Sequence, residues 1–211
     1  YVAWHSGRDD ETSRKVWLTI SRDDGRTFAD EKPAWGEATG ACGCCGMRAF
    51  ADSRGNVGML YRSATKLIHR DTYLLTSSDG GQVFRGLKLD AMDASICIMS
   101  TASFSAAQGW TLAGWESNGK VHGALLDLKT GKIGVRFDPP AQGQNAKHPV
   151  LAANQAGQIL MAWTEGTGWN QGGDLAWQEF DSKGVAQARE ERLAQLNALV
   201  GGTAAGYRIN A

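Results

Sequence analysis

Four cysteines fall in two short runs, Cys42-Gly-Cys44-Cys45 and Cys97-Ile-Met99. An even cysteine count fits two disulfides, for instance one that staples the Cys42 to Cys45 loop to Cys97. The same sulfurs, with Met47, Met99 and His148 at hand, form a thiolate and thioether set suited to Cu(I), and four thiolates also suit Zn. Adjacent Cys44 and Cys45 point opposite ways on an extended strand, so such a cage needs a bent loop, which Gly43 and Gly46 permit. Disulfides, a copper or zinc site, and buried free thiols stand as the three open readings.

A second group of residues could hold an anionic or sugar-like ligand. Arg8, Arg48, Arg62, His69 and Arg70 supply cationic or imidazole donors, and Trp169, flanked by Gly166, Gly168, Gly172 and Gly173, is an aromatic platform on a flexible loop. For a catalytic set the candidates are Arg48, Arg62 and Arg70 for anion contact, Glu116 or Glu165 as carboxylates, and Tyr207 as a phenol. Each has a plainer alternative. Arg70 with Asp71 can be a loop ion pair worth under about 1 kcal/mol. His122 can be a packing residue of its strand, and Tyr207 can pack on a sheet.

These residues need a scaffold, and the chain repeats itself to make one. Tyr1-Val-Ala-Trp4, Gly58-Met-Leu-Tyr61, Thr111-Leu-Ala-Gly-Trp115 and Ile159-Leu-Met-Ala-Trp163 are strand-like and end on a large aromatic, at spacings of 57, 54 and 48 residues. A shorter strand and a turn glycine precede the last three: 47–52 with Gly55, 101–105 with Gly109, and 149–153 with Gly157. A third strand follows each aromatic, at 16–20, 72–76, 121–126 and 174–180, and a weaker fourth closes each unit. Four short strands in a unit of about fifty residues, repeated, predict an all-β fold, a β-propeller of four-stranded blades. The units run 1–40, 41–95, 96–146 and 147–190, with a closing segment 191–211, all in one propeller domain or fragment. The first unit begins at its second strand. Only 190–199 has any helical pattern, and it lacks a cap. The tail, 198–209, is a candidate for a missing inner strand; an open edge otherwise calls for a second copy or a partner chain.

Two third strands lead into one motif. Ser21-Arg-Asp23-Asp-Gly25-Arg-Thr-Phe28 and Ser77-Ser-Asp79-Gly-Gly81-Gln-Val-Phe84 both read S-x-D-x-G-x-x-F. The Asp is expected to accept backbone N–H bonds of its own turn, the Gly to supply the unusual backbone angle, and the Phe to bury under the hairpin. Eroded copies stand at Asp127 to Gly131 and Asp181 to Gly184. The motif resembles the Asp-box, or BNR repeat, of sialidase-like propellers, and the cysteine runs resemble the C-x-C-C and Cys-Pro-Met runs of a bacterial subgroup, with Ile98 in place of Pro. The resemblance implies a six-bladed ring of which about four blades are present, a structural role for Asp23 and Asp79, and an extracytoplasmic, secreted or periplasmic, protein. It also implies a glycoside hydrolase site with three arginines, a Tyr and Glu pair and an Asp. The F/Y-R-I-P motif that carries the first of those arginines is absent.

In such a fold, loops entering inner strands and loops joining second to third strands open on one face. That places Cys42 to Cys45, Cys97, His148, His5, Arg8, Arg62, His69 to Asp71, Glu116, Glu165 and Trp169 together. The ligand expected there is carbohydrate, another small molecule or a metal. With 22 Lys and Arg against 22 Asp and Glu and no basic run, no nucleic-acid partner is expected. No apolar run reaches the length of a transmembrane segment. The sequence opens inside a strand, so a targeting segment is expected to have been removed or to lie outside it.

Overall fold

The computed structural model describes residues 1–7, 9–66, 68–168 and 171–196. Among them every named element is a strand, and no helix is long and apolar enough to cross a membrane. The strands belong to two compact units, Tyr1–Met99 with Leu128–Gly131, and Ser100–Asp127 with the chain from Lys132 on.

The first unit holds two sheets. One has three strands, β1 (Val2–Ser6), β2 (Lys15–Thr19) and β3 (Lys32–Pro33), in that order. The other is the meander β4 (Arg48–Ala51), β5 (Val57–Arg62), β6 (Thr72–Ser77) and β7 (Arg85–Asp90). The second unit holds two more four-stranded meanders: β8 (Ser103–Ala107), β9 (Trp110–Ser117), β10 (Lys120–Asp127) and β11 (Lys132–Phe137); and β12 (Lys147–Ala153), β13 (Ile159–Glu165), β14 (Gly173–Phe180) and β15 (Ala186–Leu196). All neighbours pair antiparallel.

The strands form where the repeat places them because β-branched and apolar side chains have somewhere to bury. In the first unit Val16 and Leu18 of β2 pack with Val57, Met59 and Tyr61 of β5, Leu75 of β6 and Phe84. In the second, Leu112, Val121, Met161, Trp163, Ala176, Phe137 and Phe180 form one core, with the last two rings 4.8 Å apart. Each fully buried aliphatic side chain contributes about 1.5–3 kcal/mol. Three of the four repeating aromatics, Tyr61, Trp115 and Trp163, are buried.

Turn chemistry follows the repeat as well. Gly55, Gly109 and Gly157 occupy the same turn in successive sheets at φ of 80°, 84° and 80°. Asp52 Oδ1 accepts from the amides of Arg54 and Asn56, and Asn154 Oδ1 from those of Ala156 and Gln158.

The S-x-D-x-G-x-x-F turns are closed in the same manner. Asp23 Oδ1 accepts from the Thr27 amide (2.8 Å) and the Ser21 hydroxyl (2.8 Å), while Ser21 Oγ accepts from the Gly25 amide. Asp79 Oδ1 accepts from the Ser77 hydroxyl and the amides of Gln82 and Val83, and Ser77 Oγ from that of Gly81. Of the eroded copies, Asp181 keeps the device, accepting from the amides of Lys183 and Val185. The expected burial of the aromatic holds for Phe84 but not for Phe28, which is 49% exposed. The difference is structural: the strand after Phe28, β3, is two residues long, against six for β7, so the hairpin there is too short to cover a ring.

The Thr27 hydroxyl, with the Thr27 amide and Ser21, holds the Asp23 carboxyl at about 2, and the Ser77 hydroxyl lowers that of Asp79. A carboxyl lowered by folding stabilises above its unfolded value, near about 3.9, and that contribution is lost as pH falls through the folded one. Thermal melts from pH ~5 down to ~2 are therefore expected to show wild type losing its advantage over an Asp23→Ala, Asp79→Ala double variant. A constant gap across that range would contradict the assignment.

One expectation is corrected at the C-terminus. The stretch 190–199 with helical pattern is strand through Leu196, as part of β15, because pairing with β14 outweighs a weak local preference. Residues 197–199 and the tail 198–209 lie outside the described residues.

Candidate functional site

A cleft of about 560 Å³ opens in the first unit beside the loop that joins β5 to β6. That loop is a small hairpin of its own. Thr65 and His69 exchange backbone hydrogen bonds, Ser63 N donates to Asp71 O, and His69 bridges onward to Asp93. Arg70 N donates to Met92 O and Ala94 N to Ile68 O, tying the loop to the segment after β7. Lys66, at φ 49°, takes the tight position of the turn.

Into this cleft the scaffold presents Glu37, His69, Asp71, Tyr73, Lys88 and Asp93. His69 Nδ1 and Asp93 Oδ1 are 2.5 Å apart, and Lys88 Nζ lies 2.5 Å from Asp71 Oδ2. Asp71 also accepts from the Met92 amide, and its carboxylate raises the Lys88 ammonium above its ordinary value. The Tyr73 ring stacks on Tyr61 and tilts against Trp35, both at 5.7 Å, with Lys88 5.8 Å from its centroid. Tyr61 donates to or accepts from Thr39 Oγ1 at 2.7 Å, and burial pushes its phenol far above the ordinary range. The result is a ring stacked on one neighbour and tilted against another, with charged pairs beside it.

The arginines expected to grip a ligand are occupied elsewhere. Arg62 is buried and its Nη1 donates to the Arg70 carbonyl, 3.0 Å away, and lies 3.0 Å from Met92 Sδ. Arg70 is buried too, with Nη2 2.9 Å from Glu11 Oε2. Arg48 is half-buried on β4. Glu11 is a hub that sequence reasoning missed: its carboxylate meets Arg70 and Arg14 and accepts from the Gly43 amide, while its carbonyl accepts from Ala41 N. No local motif marks it. Tyr73, Lys88, Asp93 and Glu37 were missed as well, since each sits on an ordinary strand or loop position and gains meaning only from its neighbours across the sheet.

The cysteine loop lies in the same unit. Cys44 and Cys97 form a disulfide, with Cα atoms 6.8 Å apart, whereas Cys42 and Cys45 remain thiols, so there is one bridge rather than two. The loop bends as the glycines permit: Cys44 is exposed, Cys45 is buried, and the sulfurs of Cys42, Cys44 and Cys45 all lie within 4.8 Å of one another. Cys42 and Cys45 pack with Ala64 and Ile98. The disulfide removes Cys44 and Cys97 from any thiolate set, so a four-thiolate copper or zinc cage is not assembled in this redox form. Met99 ends the first unit at φ 50°, and His148 belongs to the second. The Cys42-x-x-Cys45 spacing inside the run was the signal available for a reactive thiol pair.

In the second unit, His148 sits at φ 56° with Nδ1 3.1 Å from Thr101 Oγ1, and desolvation first and Lys147 second lower its pKa. Glu116 and Glu165 are buried carboxylates that hold backbone: Glu116 accepts from the Gly119 amide, and Glu165 from the Gly143 amide and the Trp163 indole. His122 pairs with Asp138 and leans on Trp115. Arg8, Trp169 and Tyr207 lie outside the described residues.

No protein-family profile matches the chain, and no curated protein does. Solved structures do match in fold. A mutant α-L-arabinofuranosidase of Fusarium graminearum, in complex with an iminosugar inhibitor, superposes with a TM-score of 0.56 at 11% identity over 84% of this chain. A Penicillium chrysogenum α-L-arabinanase complexed with arabinobiose gives 0.57 at 16% identity, also over 84%. The chain covers 58% of the length of each. With this likeness and its antiparallel meanders, the chain is an all-β protein of the β-propeller class, with four blade sheets among the described residues, one of three strands and three of four.

Proposed function

We propose that this chain is part of an extracytoplasmic Asp-box propeller, sialidase-like in its repeat, that binds a glycan in the cleft beside His69 and Tyr73. The observation that carries the reading is the cleft itself: a braced aromatic ring with paired acidic and basic groups along it, the mixture that sugar hydroxyls and ring faces require. The printed ligands of the two similar structures, an iminosugar and arabinobiose, support a sugar-like occupant. The Cys44–Cys97 disulfide supports an oxidising compartment.

The reading is of binding to a neutral glycan. Hydrolysis by the usual route needs two carboxyl groups facing each other across the scissile bond. Here Asp71 is closed on Lys88 and Asp93 on His69. Gripping a sialic acid carboxylate calls for guanidinium groups aimed at the ligand, and Arg62 and Arg70 are buried in other bonds.

Calorimetric titration with arabino-oligosaccharides and with sialyllactose tests this. Binding of the neutral sugar, weakened at least about tenfold, or ~1.4 kcal/mol, by His69→Ala and retained by Tyr73→Phe, is the expected result. Tight sialyllactose binding, or neutral binding untouched by His69→Ala, would sink it.

A further inference from the structure

The glycan reading leaves the two thiols beside the disulfide without a task. Cys42 is 2% exposed, yet its sulfur lies 3.3 Å from that of Cys44, in contact with one end of the Cys44–Cys97 bond. Exchange between a thiol and a disulfide requires a nucleophilic sulfur touching one disulfide sulfur, and a second sulfur able to leave. All three are present: Cys42 as attacker, Cys44 as centre, Cys97 as leaving group.

We propose that this cluster is a thiol–disulfide exchange site, in which Cys42 displaces Cys97 from Cys44. The Cys42 sulfur, having given its proton to solvent, forms a bond to the Cys44 sulfur with its own electron pair. The Cys44–Cys97 bond breaks, and its pair departs on Cys97, which takes a proton from water. One disulfide and two thiols stand on each side of the step, so nothing is oxidised or reduced overall. Cys97 is half-buried and Cys44 exposed, so the freed thiol can react onward with an external disulfide or a thiol-reactive small molecule.

Cys45 acts through Cys42 as a positioning residue. Its hydrogen bond to the Cys42 sulfur is the main reason that thiol falls to about 6, helped by the Cys44 and Cys45 amides and opposed by burial and by the charge of Glu11. That shift favours the thiolate, the form that attacks. The pocket around the attacker is apolar, made with Ala64 and Ile98, which shields it from solution reagents while leaving Cys44 within reach.

The test uses the intact protein without reductant. Native wild type is labelled with a light maleimide, unfolded, labelled with a heavy one, digested and mapped by mass. The expected pattern is light label on Cys97 together with a Cys42–Cys44 linkage, at one disulfide per chain. In Cys42→Ala, a change small enough for the apolar site, light label on Cys97 falls at least about tenfold with the Cys44–Cys97 linkage intact, and Cys45→Ala slows its appearance. Three outcomes would overturn the proposal: Cys97 unlabelled in wild type after prolonged incubation, a second disulfide joining Cys42 to Cys45, or copper or zinc bound to four reduced sulfurs. These concern wild type alone, so they hold even if a variant misfolds.

Discussion

Trp163→Ala is expected to cost about 3–5 kcal/mol in a denaturant titration, a large share of the roughly 5–15 kcal/mol that holds an ordinary domain folded. The indole is 1% exposed in the core of the second unit, among Leu112, Met161, Ala176 and Phe180. It also donates its N–H to Glu165 Oε1 at 2.8 Å, the oxygen that accepts from the Gly143 amide at 2.7 Å. Truncation removes packing and strips a buried carboxylate of a donor. Trp163→Phe is the milder change: it keeps a buried aromatic ring while losing the N–H and part of the bicycle, so its cost should fall below that of Trp163→Ala yet include about 1–3 kcal/mol for an unsatisfied buried acceptor. A Trp163→Ala cost below about 1 kcal/mol would mean that the repeating aromatic is not a packing anchor.

Gly40→Ala is expected to be as damaging for a different reason. Gly40 has φ 60°, and a Cβ there would lie 2.1 Å from the Ala64 carbonyl oxygen and 2.7 Å from that of Glu11. Both neighbours are backbone, so neither can rotate away. The left-handed angle alone costs an alanine about 1–2 kcal/mol, and overpacking adds about 1–3 more. Either side of this glycine, Ala64 N donates to Thr39 O and Ala41 N to Glu11 O, and those bonds hold the irregular segment that leads into Cys42. Separation of the segments should thus show locally before the unit unfolds. Maleimide labelling of Cys42 and Cys45 in the native variant should rise well above wild type, as the measurement that distinguishes local opening from global loss. Unchanged labelling with unchanged stability would contradict the close approach.

The blades were legible because their determinants are local and repeated. A strand such as β5 announces itself by Met59-Leu-Tyr61 and by Gly55 before it, and Asp23 and Asp79 write their hydrogen bonds into a motif eight residues long. The cleft was less so. His69 and Asp71 could be placed on the right loop from the repeat, but Tyr73, Lys88 and Asp93 come together only through the pairing of β6 with β7 and the bridge from His69 to Asp93. Arg62 and Arg70 illustrate the converse. Their types suggest an anion grip, and no sequence feature says that a carbonyl and Glu11, 59 residues upstream of Arg70, will claim them. Which cysteines bridge was equally open, since the choice among four sulfurs rests on where a bent loop leaves each one.

The Cys44–Cys97 bridge spans 53 residues, and all of β4, β5, β6 and β7 lies between its ends. One whole sheet is therefore a covalently closed cassette. A protease that cuts any loop within it, at Arg54 or Lys66 for instance, leaves both pieces chained together for as long as Cys44 stays bonded to Cys97, so the nick stays invisible until that bond is reduced or exchanged onto Cys42. In an environment rich in digestive enzymes, such a sheet can be cut and still keep its strands at each other's side.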